Sequence, residues 1–254
     1  MERYIVFMSG KVFEILRFEK LDSTMDKAFE LAKSGCGEWT VVVAEEQSMG
    51  RGRRGRKWVS PRGGLWFSIV LKPKFNPIFL PLVGIATSLS CAEAIEEKFG
   101  LKTKVKWPND VYIDSSKVGG VLVEALYRSG KVEFAIVGVG LNTNVHPQVK
   151  GLDAKATSLS RLLGREIDNE ELLEYILDKL REYYLMIPDQ RENIIRRYLK
   201  RMMFKDEMVK ISINGKWIYG KLLGIDDLGR IVIRDEEGYV KHLNVGEVER
   251  VRRS

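Results

Sequence analysis

The sequence predicts an α+β protein in two parts, a larger domain over residues 1–204 and a small β-barrel over 205–254. Three observations carry this. Helical and strand-like runs are interleaved through the first part. Within it, "DVYID", "KVGGVLVEALYR" and "KVEFAIVGVGLN" read as three strands in a meander, joined by "SS" and "SG" turns. After Phe204 the pattern changes to short strands only, with turns at "NG", "DDLG" and "EEG".

Taken in order, "FEKLDSTMDKAFELAKSGCG" is a strand end running into a helix. Ser23 or Thr24 is placed to cap that helix, Asp26 lies in its first turn, and Gly35 or Gly37 ends it. A strand follows over Trp39 to Gln47, then a glycine–arginine stretch, then the strand "GLWFSIVLKP". "IATSLSCAEAIEEKF" places Ile85, Leu89, Ala92, Ile95 and Phe99 near helical spacing. "TKVKW" is a short strand ending at Pro108. Beyond the meander, a helix over Asn169 to Tyr184 has Asp168 as cap and Glu171 completing a capping box. A basic helix covers Gln190 to Arg201. The C-terminal strands have the length and spacing of an SH3-like barrel.

With 44% hydrophobic and 30% charged residues, the composition is that of a soluble globular protein. Apolar runs such as "LWFSIVL" are too short to span a bilayer, and the N-terminus has no signal-peptide pattern, so the expected location is cytoplasmic with no membrane partner. Cys36 and Cys91 have no C-x-x-C spacing, and His146 has no partner at ligand spacing, so no protein-built metal cage is expected.

"GRGRRGRKW", residues 50–58, holds five cations and three glycines, so most of the +7 net charge is local and marks a site. Gly50, Gly52 and Gly55 spell G-x-G-x-x-G, but Pro61, Gly63 and Gly64 follow, so no helix can start there to receive a pyrophosphate. No P-loop motif occurs either. As a loop, its glycines let backbone N–H groups approach an anion, and its arginines supply forked donors. Mutual repulsion of the cations predicts a loop that stays mobile until an anion orders it; Arg54 and Lys57 read equally well as solvated charge. In "KWPND", Pro108 aims Asn109 and Asp110 from a rigid turn. Alone, that would be an ordinary Asx turn, and Lys117, before Gly119 and Gly120, would be an ordinary solvent-facing lysine.

Together these stretches resemble the biotin–protein ligase family. The matching pieces are "LDST" (21–24), "QSMGRGRRGRKW" (47–58), "KWPND" (106–110), "KVGGVLVE" (117–124) and "GVGLN" (138–142), in the family's order. The resemblance implies a mixed-sheet catalytic domain like that of class II aminoacyl-tRNA synthetases, and an SH3-like C-terminal domain. It implies ATP-dependent formation of biotinyl-5′-AMP, then transfer of biotin to a lysine of a biotin carboxyl carrier protein. Arg53 and Lys117 would be catalytic. Ser23, Thr24, Gln47, Arg51, Gly52, Arg53, Lys117 and Gly120 would bind biotin. Arg53, Arg56, Trp58, Asn109, Asp110 and Asn142 would bind ATP, with Mg²⁺ carried by ATP near Asp110. Where the family often has Asn after Ser-Thr, this chain has Met25, so only a backbone contact carries over to it. "LDST" begins at residue 21, which leaves no room for the DNA-binding helix-turn-helix of bifunctional members, so no specific DNA is expected. Likeness to short archaeal-type members points to a homodimer.

Two alternatives compete. A lipoate or octanoate ligase has the same general fold, but lipoate has no ureido ring for Ser23, Thr24 and Gln47, and neither cysteine lies beside the motifs. A nucleic-acid-binding module would use the basic arm, the arginines of the 190–201 helix and the tail Arg250, Arg252 and Arg253, but it has no need of "KWPND".

Overall fold

The protein was analysed as a computed structural model that describes residues 2–8, 11–145 and 155–254. His146 lies outside the described residues.

The first part contains strands β1 (Glu2–Met8) and β2 (Lys11–Leu21), helix α1 (Thr24–Lys33), and strands β3 (Thr40–Gln47) and β4 (Leu65–Leu71). Helix α2 (Pro81–Phe99) leads to β5 (Thr103–Lys106), β6 (Asp110–Ile113), β7 (Ser116–Arg128) and β8 (Lys131–Leu141). A two-residue β9 (Lys155–Ala156), the short α3 (Leu159–Leu163), α4 (Asn169–Met186) and α5 (Arg191–Arg201) complete it. The C-terminal part is β10 (Met208–Ile213), β11 (Lys216–Ile225), β12 (Ile231–Asp235), β13 (Val240–Leu243) and β14 (Val248–Arg253).

The large sheet has the order β1-β2-β3-β4-β8-β7-β6-β5, with β9 against β7. It is mixed: β2–β3 and β7–β9 are parallel and the other pairs antiparallel. The C-terminal sheet is antiparallel, β13-β12-β11-β10-β14, and its ladder does not close into a full barrel among the described residues.

Strand alternation separates two apolar layers. On β3, β4 and β8, residues Val41, Val43, Phe67, Ile69, Val137 and Val139 face the core shared with α2, α4 and α5. Val42, Val70, Phe134 and Ile136 face the opposite way, against Met25, Ala28 and Ala32 of α1. On that second face β8 continues after Ile136 with Gly138 and Gly140. The sheet is therefore bare at the end of the layer where α1 begins, and a cavity opens there.

Several sequence expectations change. The first strand is one arm of a β1–β2 hairpin, whose β1 is an edge of the large sheet. Helix α2 starts at Pro81, which suits a first helical position because its missing N–H is not needed there. Thirteen of its residues are buried, on every side, which blurred its periodicity. The span 77–99 is also long and apolar enough to cross a membrane, contrary to the reading from "LWFSIVL", but here it is a core helix, 72% buried. Asp168 caps α4 by accepting from Glu170 N and Glu171 N, yet Glu171 pairs with Lys98 and does not complete a capping box.

One edge of the basic face of α5 is tucked against α2, while Arg196, Arg197 and Lys200 stay exposed. Arg201 donates to Glu96 at 2.6 Å and lies 3.0 Å from Glu93, a nearly buried carboxylate that also pairs with Arg197. Tyr183 donates to the same carboxylate. These charges hold α5 on α2 and α4.

Candidate active site

A cavity of about 360 Å³ lies over Gly138 and Gly140, between the start of α1, the 50–58 loop and the "KWPND" turn. One end is apolar, walled by Met25 and Leu122, with the strands at Val121 and Val139 as its floor. Met25 fits because Gly138 has no side chain: a Cβ there would sit 2.7 Å from the methionine sulfur. The thioether thus forms a wall, as its lack of an amide suggests.

Polar groups at this end are set by how α1 begins. Ser23 occupies the cap position, but its hydroxyl makes no cap hydrogen bond. Gln47 does that work across the fold: its Oε1 accepts from Thr24 N at 2.8 Å and from Thr24 Oγ1 at 3.1 Å. Gln47 Nε2 donates to Ser60 Oγ at 2.8 Å, and Thr24 Oγ1 pairs with Ser68 Oγ at 2.8 Å. Ser23 Oγ is buried with no hydrogen-bond partner. A buried hydroxyl without a partner costs about 1–3 kcal/mol, and this one borders the cavity.

The other end carries charge. Lys117 donates to Asp110 Oδ1 at 2.6 Å, and its ammonium lies 5.0 Å over the Trp58 ring. Trp58 packs closely on β8 because Gly140 has no Cβ; one built there would be 2.6 Å from the indole nitrogen. The Trp107–Pro108 peptide is cis. Trp107 Nε1 donates to Gly229 O at 2.9 Å, so the C-terminal sheet braces the "KWPND" turn. Asn109 Nδ2 donates to Val121 O at 2.6 Å, and Asn142 Nδ2 to Thr157 O at 3.1 Å. These amides hold the backbone around the cavity.

The arginine loop is tied down at several points. Its base closes by backbone pairing of Gln47 with Ser60, and Trp58 N donates to Gly50 O at 2.8 Å. Arg51 makes a two-pronged bond to Glu124, both contacts 3.0 Å, and reaches Asp26 at 2.9 Å. Arg53 donates to the carbonyls of Val245 and Val248, and Arg54 to those of Gly246 and Glu247. Burial lowers the Arg53 guanidinium to about 10, against the opposing pull of Asp110, so it stays charged at neutral pH. Arg54, which the sequence left as readily solvated charge, is instead a clasp on the 245–249 turn. Lys57 lines the cavity.

All the residues singled out from the sequence line this one cavity: Ser23, Thr24, Met25, Gln47, Arg51, Gly52, Arg53, Arg56, Trp58, Asn109, Asp110, Lys117, Gly120 and Asn142. Sequence reasoning missed Ser60, Ser68, Glu124 and the 245–248 carbonyls. Their roles depend on contacts across the fold, and no local pattern marks them. Among the described residues no cluster of His, Cys, Asp and Glu could cage a metal.

A mixed sheet with an antiparallel C-terminal sheet thus carries one cavity, apolar at one end and lined by cations at the other. Residues 18–142 match the Biotin/lipoate A/B protein ligase family, and residues 206–251 match the Biotin protein ligase C terminal domain. The chain is 33% identical over 242 residues to the Bifunctional ligase/repressor BirA of Bacillus subtilis, covering 92% of this chain and 73% of that one. It is 30% identical to the Biotin--[acetyl-CoA-carboxylase] ligase of Paracoccus denitrificans, covering 86% and 93%. Its fold superposes on the biotin protein ligase from Aquifex aeolicus in complex with biotin and ATP, with TM-score 0.83, 34% identity, and coverage of 94% and 99%. The chain belongs to the biotin protein ligase family.

Proposed function

We propose that this cavity binds biotin and ATP, joins them as biotinyl-5′-AMP, and passes biotin to a lysine of a biotin carboxyl carrier protein in the cytoplasm. The observation that carries the biotin assignment is the unpartnered, buried Ser23 hydroxyl lining, with Gln47, the apolar end of the cavity. Gln47 Nε2 retains one N–H beyond that given to Ser60, and Thr24 Oγ1 retains acceptor capacity. A ureido ring offers one carbonyl acceptor and two N–H donors to such a set. The dithiolane of lipoate would leave these groups unsatisfied.

In the first step a biotin carboxylate oxygen attacks the α-phosphorus of ATP and pyrophosphate leaves. Both reactants are anions, so fixed cations must offset the charge that gathers. Lys117 stands at the charged end of the cavity, and Arg51 and Arg53 supply the loop side. In the second step the carrier lysine's neutral amine attacks the acyl carbon. The C–O bond to AMP breaks, an amide forms, and the amine proton leaves to solvent. The loop, held by Glu124 and the 245–248 carbonyls, would cover the adenylate and exclude competing water. Mg²⁺ arrives with ATP; Asp110 can give it one carboxylate, already shared with Lys117, so phosphate oxygens would supply most of the remaining ligands. We place the domain boundary at 204/205, with the C-terminal domain bracing Trp107 and the arginine loop. The pairing of Arg197 and Arg201 with Glu93 and Glu96 weighs against the nucleic-acid reading.

Biotin-dependent exchange of labelled pyrophosphate into ATP tests the proposal. Exchange is expected with biotin; exchange with lipoate alone would transfer the assignment to a lipoate ligase.

A further inference from the structure

We infer that Ser60 is a positioning residue for recognition of the biotin head group, acting through Gln47; this rests on the reading of the cavity as a biotin site. Thr24 N can only donate, so the Gln47 atom facing it is the oxygen, 2.8 Å away. That places Nε2 on the far side, 2.8 Å from Ser60 Oγ. The Ser60 hydroxyl is itself 3.3 Å from Trp58 O, to which it donates, so towards Gln47 it acts as acceptor. The chain of bonds therefore runs one way, from Thr24 N–H through the Gln47 amide and the Ser60 hydroxyl to a backbone carbonyl. Its direction leaves the second Nε2 hydrogen as the only donor Gln47 can give a ligand.

Ser60 is only 3% exposed, and backbone pairing with Gln47 fixes its place. Gly50 leaves room for it; a Cβ there would lie 2.7 Å from Ser60 Oγ. Without the hydroxyl, Nε2 loses its fixed acceptor and the amide is held only by the two bonds from Thr24 to Oε1. The head group would then meet a less firmly held donor.

Calorimetric titration of the full-length protein with biotin tests this on wild type, Ser60→Ala, Gln47→Ala and the double variant. Ser60→Ala should weaken biotin binding about tenfold, the worth of one buried hydrogen bond, and leave ATP binding within about twofold. In the Gln47→Ala background the same change should cost less than about twofold. Ser60→Cys, with a weak acceptor in the same place, should fall between and carries the test if the alanine variant does not fold. Unchanged biotin affinity, an equal loss of ATP affinity, or an equal loss in the Gln47→Ala background would overturn the inference alone. No binding of biotin to the wild type would overturn the proposed function with it.

Discussion

Gly138 and Gly140 sit two residues apart on β8 and face the same cavity, yet they should fail in opposite ways. In Gly140→Ala the new Cβ would lie 2.6 Å from Trp58 Nε1 and 2.9 Å from Cε2. Ordinary contact starts near 3.4 Å, so the rigid indole must retreat by ~1 Å as a whole, turning only about its two side-chain bonds. Overpacking of this kind costs about 1–3 kcal/mol, or about 5- to 150-fold in affinity if the cost falls on the bound state. The loss should appear in ATP binding, because Trp58 flanks Lys117 at the charged end. In Gly138→Ala the Cβ would meet Met25 Cγ and Sδ, both 2.7 Å away. A flexible thioether can swing aside, but only into the apolar end, so biotin binding should fall and ATP binding should hold. Separate titrations with biotin and ATP decide it. Equal losses of both ligands in both variants, or the reverse pairing, would refute the division of the cavity.

Further predictions follow from single groups. Ser23→Ala should leave the ligand-free Tm unchanged or raised, since it removes an unsatisfied buried hydroxyl, while biotin binding weakens about tenfold; a lowered Tm with intact binding would contradict the role. Lys117→Ala should slow adenylate formation more than it weakens biotin binding, because the ammonium acts on charge developed in the transition state; a pure affinity loss in single-turnover kinetics would count against it. Burial raises the Glu96 carboxyl, but hydrogen bonds from Arg201 and Thr103 outweigh burial and hold it below its ordinary 4.5. A folded value below the unfolded one stabilises above 4.5 and is lost as pH falls through the folded value, so Glu96→Gln should lower Tm at neutral pH and flatten its fall below about 4.5. Parallel Tm profiles for the two proteins would show that this pairing contributes nothing.

Much of the fold was legible because it depends on local pattern. Val41 to Val43 and the β4 run alternate between two layers as strand geometry demands, and Asp168 caps α4 where its short carboxylate can reach the first amides. The cavity-lining residues were legible mainly through the family resemblance of the motifs taken together; by itself only the glycine–arginine stretch marked a site, while "KWPND" and Lys117 read as an ordinary turn and an ordinary lysine. What each side chain does there was not legible. The cap on α1 comes from Gln47 and not from Ser23, because Gln47 Oε1 reaches Thr24 N from the neighbouring β3 and leaves the Ser23 hydroxyl to the cavity. Arg197 and Arg201 of α5 look like plain basic surface until Glu93 and Glu96 of α2 are placed beside them. Arg53 and Arg54 face carbonyls at 245–248, nearly two hundred positions along the chain. Residue type and spacing settle where backbone can turn, which faces are apolar and where charge collects. Hydrogen bonds and ion pairs are directional and short-ranged, so the partner of each polar group is settled only when packing of the whole chain brings distant segments within about 3 Å.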